Sequence, residues 1–488
     1  MPHTSTTTPS DEPLLARGRR AACLGAVLLV SMLAFEAMAV AAVMPAIADD
    51  LGGDGQYALA FGGLLAASVV GMVLAGWITT PGAATQRARP AWLRGARAAS
   101  VLGMAVFGAG LLLAGMAPQM GVLVAGRVLQ GLGSGLLSVA LYVGMGQLVP
   151  PALHPRLFAL FAAAWVLPGL VGPSLAAALA TQWGWRAVFV GVALLVPVTA
   201  WMLIPALARL PQPAATGKAS AGVLGWALLA ALGAFALHAA GSFDSLLPTL
   251  ALLAAGLALA LWAAGRLLPA GSRVAARGLP AVIALRGLLA AGFGTAEAFV
   301  PLYLTRAQGW SLAQAGLALS IGAVAWSAGS TLQSRLKQEV LRQRVLRAGF
   351  ALVALGIGIV ALPALAGAPA PVLLLGWALA GLGIGLSFPM LSVLTLRLSP
   401  AAEQGRNASA LQLCDALCSS AALAAAGLVF SHLGSSVAQG FAGVRVIAAL
   451  LPALGALLAG RAAPVRAHAD CSKAVVARTC ATPQGDTP

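Results

Sequence analysis

The sequence predicts an all-α polytopic membrane protein: fourteen transmembrane helices forming two six-helix pseudo-repeat bundles plus a two-helix insert. Three observations predict it. The 488 residues are 60% hydrophobic and only 9% charged, with a mean hydropathy of +0.92, whereas a soluble domain carries about 25% charged residues. Apolar runs of about 20 residues, the length a helix needs to cross ~30 Å of hydrocarbon, recur between charged or Gly/Pro-rich breaks. Finally, GRVLQGLGSGL at 126–136 returns as GWALAGLGIGL at 376–386. Barrel-type alternation is absent, so helices must satisfy the backbone groups.

Taken in order, the first run covers 21–45 and carries Glu36 about fifteen residues in. It lacks a small-residue cleavage site and is long enough to span, so it reads as a membrane helix rather than a removed signal peptide. The next runs fall at 57–79, 99–117 and 120–145, the last holding Arg127, Gln130, Gly131 and Gly133. The fifth, 156–180, contains Trp165 and Gly172-Pro173, and the sixth is 185–208. Two runs at 221–241 and 246–268 form the insert. The second half begins with 279–304, which carries Arg286 and Glu297, and 311–333, which carries Trp326. It continues with 345–366, then 370–397 with Trp377, Gly381 and Gly383, then 407–431 with Asp415, and ends at 440–461.

The duplicated string pairs the fourth run with the twelfth at an offset of 250, and Pro155-Arg156-Leu157 pairs with Gly405-Arg406-Asn407 at the same offset. Trp185-Arg186-Ala187 is expected to open the sixth run much as Val444-Arg445-Val446 opens the fourteenth. Similar halves in parallel orientation flanking a midplane site are a transporter architecture. The division expected is a tail at 1–20, a bundle at 21–208, the insert at 209–278, a bundle at 279–461 and a tail at 462–488.

Charge sets orientation. With the N-terminus inside, the inner loops collect Arg17, Arg19, Arg20, Arg87, Arg89, Arg94, Arg97, Arg156, Arg209, Lys218 and most later cations, including Lys337 and the basic tail. The outer loops keep Arg186, Arg306 and Arg445 with Asp49, Asp50, Asp54 and Asp244. That is the positive-inside pattern, and with an even span count it places both termini in the cytoplasm. Trp77, Trp92, Trp183, Trp185, Trp201, Trp226, Trp262 and Trp310 fall at expected interfaces. The net charge of +16 is spread over many short loops, which does not fit a nucleic-acid partner. A multi-pass protein of the inner (plasma) membrane is expected, monomeric, with the bilayer, protons and a small molecule as its partners.

These residues resemble the major facilitator superfamily, in particular the fourteen-helix branch of its drug:proton antiporters. The fourth run carries R-x-x-Q-G-x-G as Arg127, Gln130, Gly131 and Gly133; the fifth keeps the Gly172-Pro173 core of the antiporter motif. Pro168, Ala176 and Ala177 replace that motif's other glycines. Glu36 stands nine residues before Pro45, the family's first-helix spacing without its threonine and asparagine. The loop after the second run departs: Gly76-Trp77-Ile78-Thr79-Thr80-Pro81 lacks the family's aspartate. The resemblance implies proton-coupled export by alternating access, with a specific metabolite exporter or an importer or uniporter as the alternative.

An ionisable residue inside a span costs about 2.5–3.5 kcal/mol on insertion scales, so each marks a functional position. Glu36, Arg127, Arg286, Glu297 and Asp415 are the candidates. Desolvation favours a neutral carboxyl and a nearby cation favours the carboxylate, so an acid balanced between them exchanges protons. Glu36, Arg127, Glu297 and Asp415 are therefore assigned to proton coupling, with Arg127 opposite Glu36. Asp415 aligns with Trp165 under the 250 offset, and Arg286 is expected to snorkel to the inner interface. Gln130, Trp165, Trp326 and Trp377 are candidates for substrate contact. Gly131, Gly133, Gly172, Pro173, Gly381 and Gly383 are candidates for close helix packing and bending.

The five cysteines, at 23, 414, 418, 471 and 480, show neither C-x-x-C nor metal spacing, so neither a disulfide framework nor a metal is expected. The sequon Asn407-Ala408-Ser409 falls at a predicted cytoplasmic helix start and is discounted. No nucleotide loop, HExxH helix or GxSxG elbow is present, so an enzyme, ATP drive and a cofactor are all unexpected.

Overall fold

The computed structural model describes residues 19–79, 95–150, 153–210, 221–240, 245–335, 339–366, 370–400, 403–432 and 437–463. Arg17, Arg87, Arg89, Arg94, Trp92, Lys218, Asp244, Lys337 and the tail from 464 lie outside them. Fourteen helices are long and apolar enough to span a membrane. In the first half they are α1 (Arg20–Leu51), α2 (Tyr57–Thr79), α3 (Gly95–Gly115), α4 (Met120–Leu148), α5 (His154–Trp183) and α6 (Arg186–Leu207). The insert is α7 (Ala221–Ala239) and α8 (Leu246–Leu267). The second half comprises α9 (Leu279–Arg306), α10 (Leu312–Ser334), α11 (Glu339–Ala366), α12 (Ala370–Arg397), α13 (Gln404–His432) and α14 (Val437–Leu458).

All fourteen predicted runs are helices, and the largest differences lie at their ends. α1 runs through Pro45 to Leu51 and stops at Gly52, which takes the left-handed conformation (φ 62°) and donates its N–H to the Ala48 carbonyl. The proline reads as a breaker in isolation, but inside a bundle its neighbours tolerate it. Arg186 is the first residue of α6, whereas Arg445 lies two turns inside α14. Arg445 therefore does not open its helix, and that pairing of the repeats is corrected. Asn407 of the sequon is buried and donates to Ser399 Oγ at 2.9 Å.

Packing repeats with a step of eight helices. α1 packs on α5 and α6, α4 lies between α2 and α3, and α3 meets α6. Correspondingly α9 packs on α13 and α14, α12 lies between α10 and α11, and α11 meets α14. The halves join along two seams, α2 with α13 and α5 with α10. α7 lies against α2 and α13, and α8 rests on α7.

The glycine strings explain their own duplication. A methyl group at Gly131 or Gly135 would strike the α2 backbone at Leu64 or Ser68, and one at Gly133 would strike Phe107 of α3. In the second half, Gly381 and Gly385 face Gly322 and Trp326 of α10, and Gly383 faces Gly349 of α11. Each string lets one central helix approach two neighbours at backbone distance. Gly172 has only ordinary contacts with Phe35 and Met38, so it is not a tight packing point. The close approach at that seam belongs to Gly316 of α10, which lies against the Pro173 carbonyl.

Candidate functional site

Among the described residues, each half holds one ion pair within its spanning helices, and the two differ in exposure. In the first half, the Arg127 guanidinium of α4 pairs with Glu36 of α1. Their side chains are 3% and 6% exposed. Arg127 Nε also donates to the Ala60 carbonyl of α2 at 3.1 Å, and Nη1 donates to Gln130 Oε1 at 2.7 Å. Gln130, one turn along α4 and on the same face, donates in turn to the Gly110 carbonyl of α3 at 3.2 Å. A buried charge persists only when paired and hydrogen-bonded, and this one is tied to four helices. Gln130 is fully buried in that network. Its side chain holds Arg127 on one side and the α3 backbone on the other.

In the second half, Arg286 of α9 does not snorkel. Its Nε donates to Asp415 Oδ2 of α13 at 2.9 Å, and its Nη1 donates to the Phe388 carbonyl at 3.3 Å and Ser392 Oγ at 3.2 Å. The guanidinium carbon also lies 3.1 Å from the Phe388 ring centroid, a stabilising cation–π geometry. The Asp415 side chain remains 25% exposed, so this pair borders open space.

Trp165 lies on the same face of α5 as the buried Phe161, Pro168, Gly172 and Ala176, yet it is 46% exposed. Tyr142 of α4 is equally exposed and packs edge-on against Phe161. Glu297 falls three turns after Arg286 on the same face of α9, one turn beyond Gly294, around which nothing packs within 4 Å. Glu297 is partly exposed and has no hydrogen bond or ion pair among the described residues.

Trp326 and Trp377 come together, each against Phe293, at centroid distances of 5.5 and 5.0 Å. Trp377 is 1% exposed and stacked in the second-half core. Trp326 is half-buried and also touches Phe388, beside Arg286. Trp165 belongs to the other half and joins neither.

The far end of the bundle, where α1 finishes, is closed by contacts between halves. Arg306 Nη2 of α9 lies 2.5 Å from Asp49 Oδ1 of α1. Tyr57 donates to the Ala298 carbonyl at 2.7 Å and packs on Phe299. Along the seams, Ser420 donates to the Gly62 carbonyl at 2.8 Å, and Ser174 and Ser320 lie 3.2 Å apart. Sequence reasoning missed Tyr142, Phe388 and Ser392, since no local pattern separates them from packing residues.

The sequence matches a known family over more than half the chain. Residues 25–296 match the Major Facilitator Superfamily. The chain belongs to the major facilitator superfamily. It is also 28% identical over 382 residues, 74% of this chain and 80% of the other, to a probable multidrug-efflux transporter of Mycobacterium tuberculosis. A transporter from the acurin A biosynthesis cluster of Aspergillus aculeatus is 26% identical over 180 residues, 37% of this chain and 30% of that one. Among solved structures, a POT family transporter in complex with 5-aminolevulinic acid matches with a TM-score of 0.66 at 14% identity, covering 91% of this chain and 97% of that one. A D-xylose–proton symporter matches at 0.61 and 16% identity, over 91% and 98%. These likenesses establish a superfamily transporter fold and a multidrug-efflux homologue at modest identity.

Proposed function

We propose that this superfamily member is a proton-coupled exporter of small amphipathic or cationic compounds. It works by alternating access in the inner membrane, as a monomer with both termini cytoplasmic. Residues 21–208 and 279–461 rock against each other across a gap between them, and α7 of the 209–278 insert rides on the seam between α2 and α13. The observation that carries the reading is the contrast between the two acid sets. Glu36 is sealed against Arg127, while Glu297 and Asp415 are partly exposed. Glu36 takes up a proton when Arg127 is drawn away, and Arg127, which cannot deprotonate, holds the site's charge balance. Glu297 and Asp415 add proton-accepting capacity at the gap wall, while Trp165 and Trp326 offer aromatic faces to an organic cation. The modest identity to a multidrug-efflux transporter supports the substrate class.

Proteoliposomes enclosing a pH-sensitive dye provide the test. Ethidium, as a lipophilic aromatic cation, should drive proton movement in the opposite sense, and Glu36→Gln should abolish it. Ethidium movement with no proton movement in the wild type would replace antiport by uniport. Coupling that survives in Glu36→Gln would move the proton site to Glu297 or Asp415. Failure to move any organic cation, with transport of one metabolite instead, would favour the specific-transporter reading.

A further inference from the structure

Cys414 and Cys418 lie four residues apart on α13, which places them on one side of the helix. Their sulfurs are 3.8 Å apart, and both are free thiols. A Cβ at Gly287 of α9 would lie 2.6 Å from Cys418 Sγ and 2.8 Å from Cys414 Sγ, so the glycine is what leaves room for the pair. Cys418 is partly exposed, as are Gln412 and Asp415 on neighbouring turns of α13, while Cys414 is buried. The mechanism proposed above uses neither thiol.

We propose that Cys414 and Cys418 form a dithiol site for organic trivalent arsenicals on the wall of the gap. Zinc requires about four ligands, and no group of three or more His, Cys, Asp or Glu residues suited to a metal ion occurs among the described residues. An aryl arsenic(III) oxide needs only two thiols, because its third bond is to carbon. The reagent is neutral and apolar, so it enters a membrane-embedded gap without the penalty of burying a charge. Both S–H bonds break and two As–S bonds form. The arsenic–oxygen bond is lost, its oxygen leaves as water with the two protons, and arsenic stays trivalent throughout. The product is a ring closed across one helical turn, beside Asp415 and against the backbone of Gly287. An aryl group held there wedges the contact between α9 and α13 and crowds the Arg286–Asp415 pair.

The site does not depend on what the protein transports, and its test reads mass rather than transport. The full chain with Cys471 and Cys480 changed to serine is purified, reduced, treated with phenylarsine oxide, and washed with glutathione to strip singly bound arsenic. Intact mass should show one adduct, equal to the reagent less one water. Cys414→Ser and Cys418→Ser should each lose it, Cys23→Ser should keep it, and 2,3-dimercaptopropanol should release it. Peptide mapping of the adduct in the parent protein should locate arsenic between residues 414 and 418, a readout that survives misfolding of a serine variant. No adduct in the parent, an adduct retained in either serine variant, or arsenic mapped elsewhere would overturn the site.

Discussion

Glu36 and Arg127 are a pair whose cost is repaid only while both are present. Truncating one leaves the other charge buried, and for buried pairs this costs about 3–5 kcal/mol. Arg127→Ala should therefore lower the unfolding midpoint sharply in detergent, whereas Glu36→Leu with Arg127→Met should recover most of the stability and still move no proton. A double variant as unstable as the single would mean that the bonds to Ala60 and Gln130, rather than charge neutralisation, dominate. Asp415→Asn should cost less, because the Asp415 side chain is 25% exposed and water can take over part of the lost partner's role. The two pairs also exchange places with aromatic residues. Trp377 stands where Arg127 stands in the other half and stacks on Phe293, while Trp165 stands where Asp415 does. The Glu36–Arg127 pairing was legible because both are the only ionisable residues well inside their helices. Arg286–Asp415 was not, because it depends on how α9 and α13 are rotated, and a long arginine near a helix end reads equally well as snorkelling.

At the scale of a helix, the glycines of α4 divide into those that permit a contact and those that touch nothing. Gly131 lies against the Leu64 carbonyl and Gly133 against the Phe107 backbone, and a backbone cannot swing aside as a side chain can. Gly133→Val should push α4 off α3 and cost about 1–3 kcal/mol or more, the usual range for overpacking. Gly121→Ala, with nothing within 4 Å, should stabilise by roughly 0.5–1 kcal/mol through helix propensity. Thermal unfolding of both variants checks the pair, and equal effects would mean that the string is compositional. The repeated string made this contact readable in advance, since close packing on two neighbours demands glycine on two faces of one helix. Gly316 was invisible by the same logic: it belongs to no repeated string, and its partner, the Pro173 carbonyl, sits in the other half.

Over the whole molecule, rocking of the halves requires the contacts at the far end to part, and the Asp49–Arg306 pair and the Tyr57 hydrogen bond are two of them. Asp49 and Arg306 are 257 residues apart in the chain and read from sequence only as outer charges; their meeting follows from the docking of one half on the other. The Asp49 side chain is 61% exposed, so the pair contributes within the ~0–1 kcal/mol typical of exposed ion pairs. Arg306→Gln should leave the unfolding midpoint almost unchanged. The same small energy weighs differently on a two-state equilibrium, where about 1.4 kcal/mol is tenfold in the ratio of states. Tyr57→Phe adds the loss of a buried hydrogen bond to the Ala298 carbonyl, worth about 0.5–1.5 kcal/mol. The two changes lie at separate points of the closure and should combine to shift the population toward a far-end-open form by roughly tenfold. Spin labels at exposed positions 116 and 313, one in each half, in a background without native cysteines, would show this as growth of a longer-distance population. An unchanged distance distribution in the double variant would assign the closure to the seams, where Ser420 bonds Gly62 and Ser174 meets Ser320. Those contacts involve helix interiors and would then have to slide rather than part.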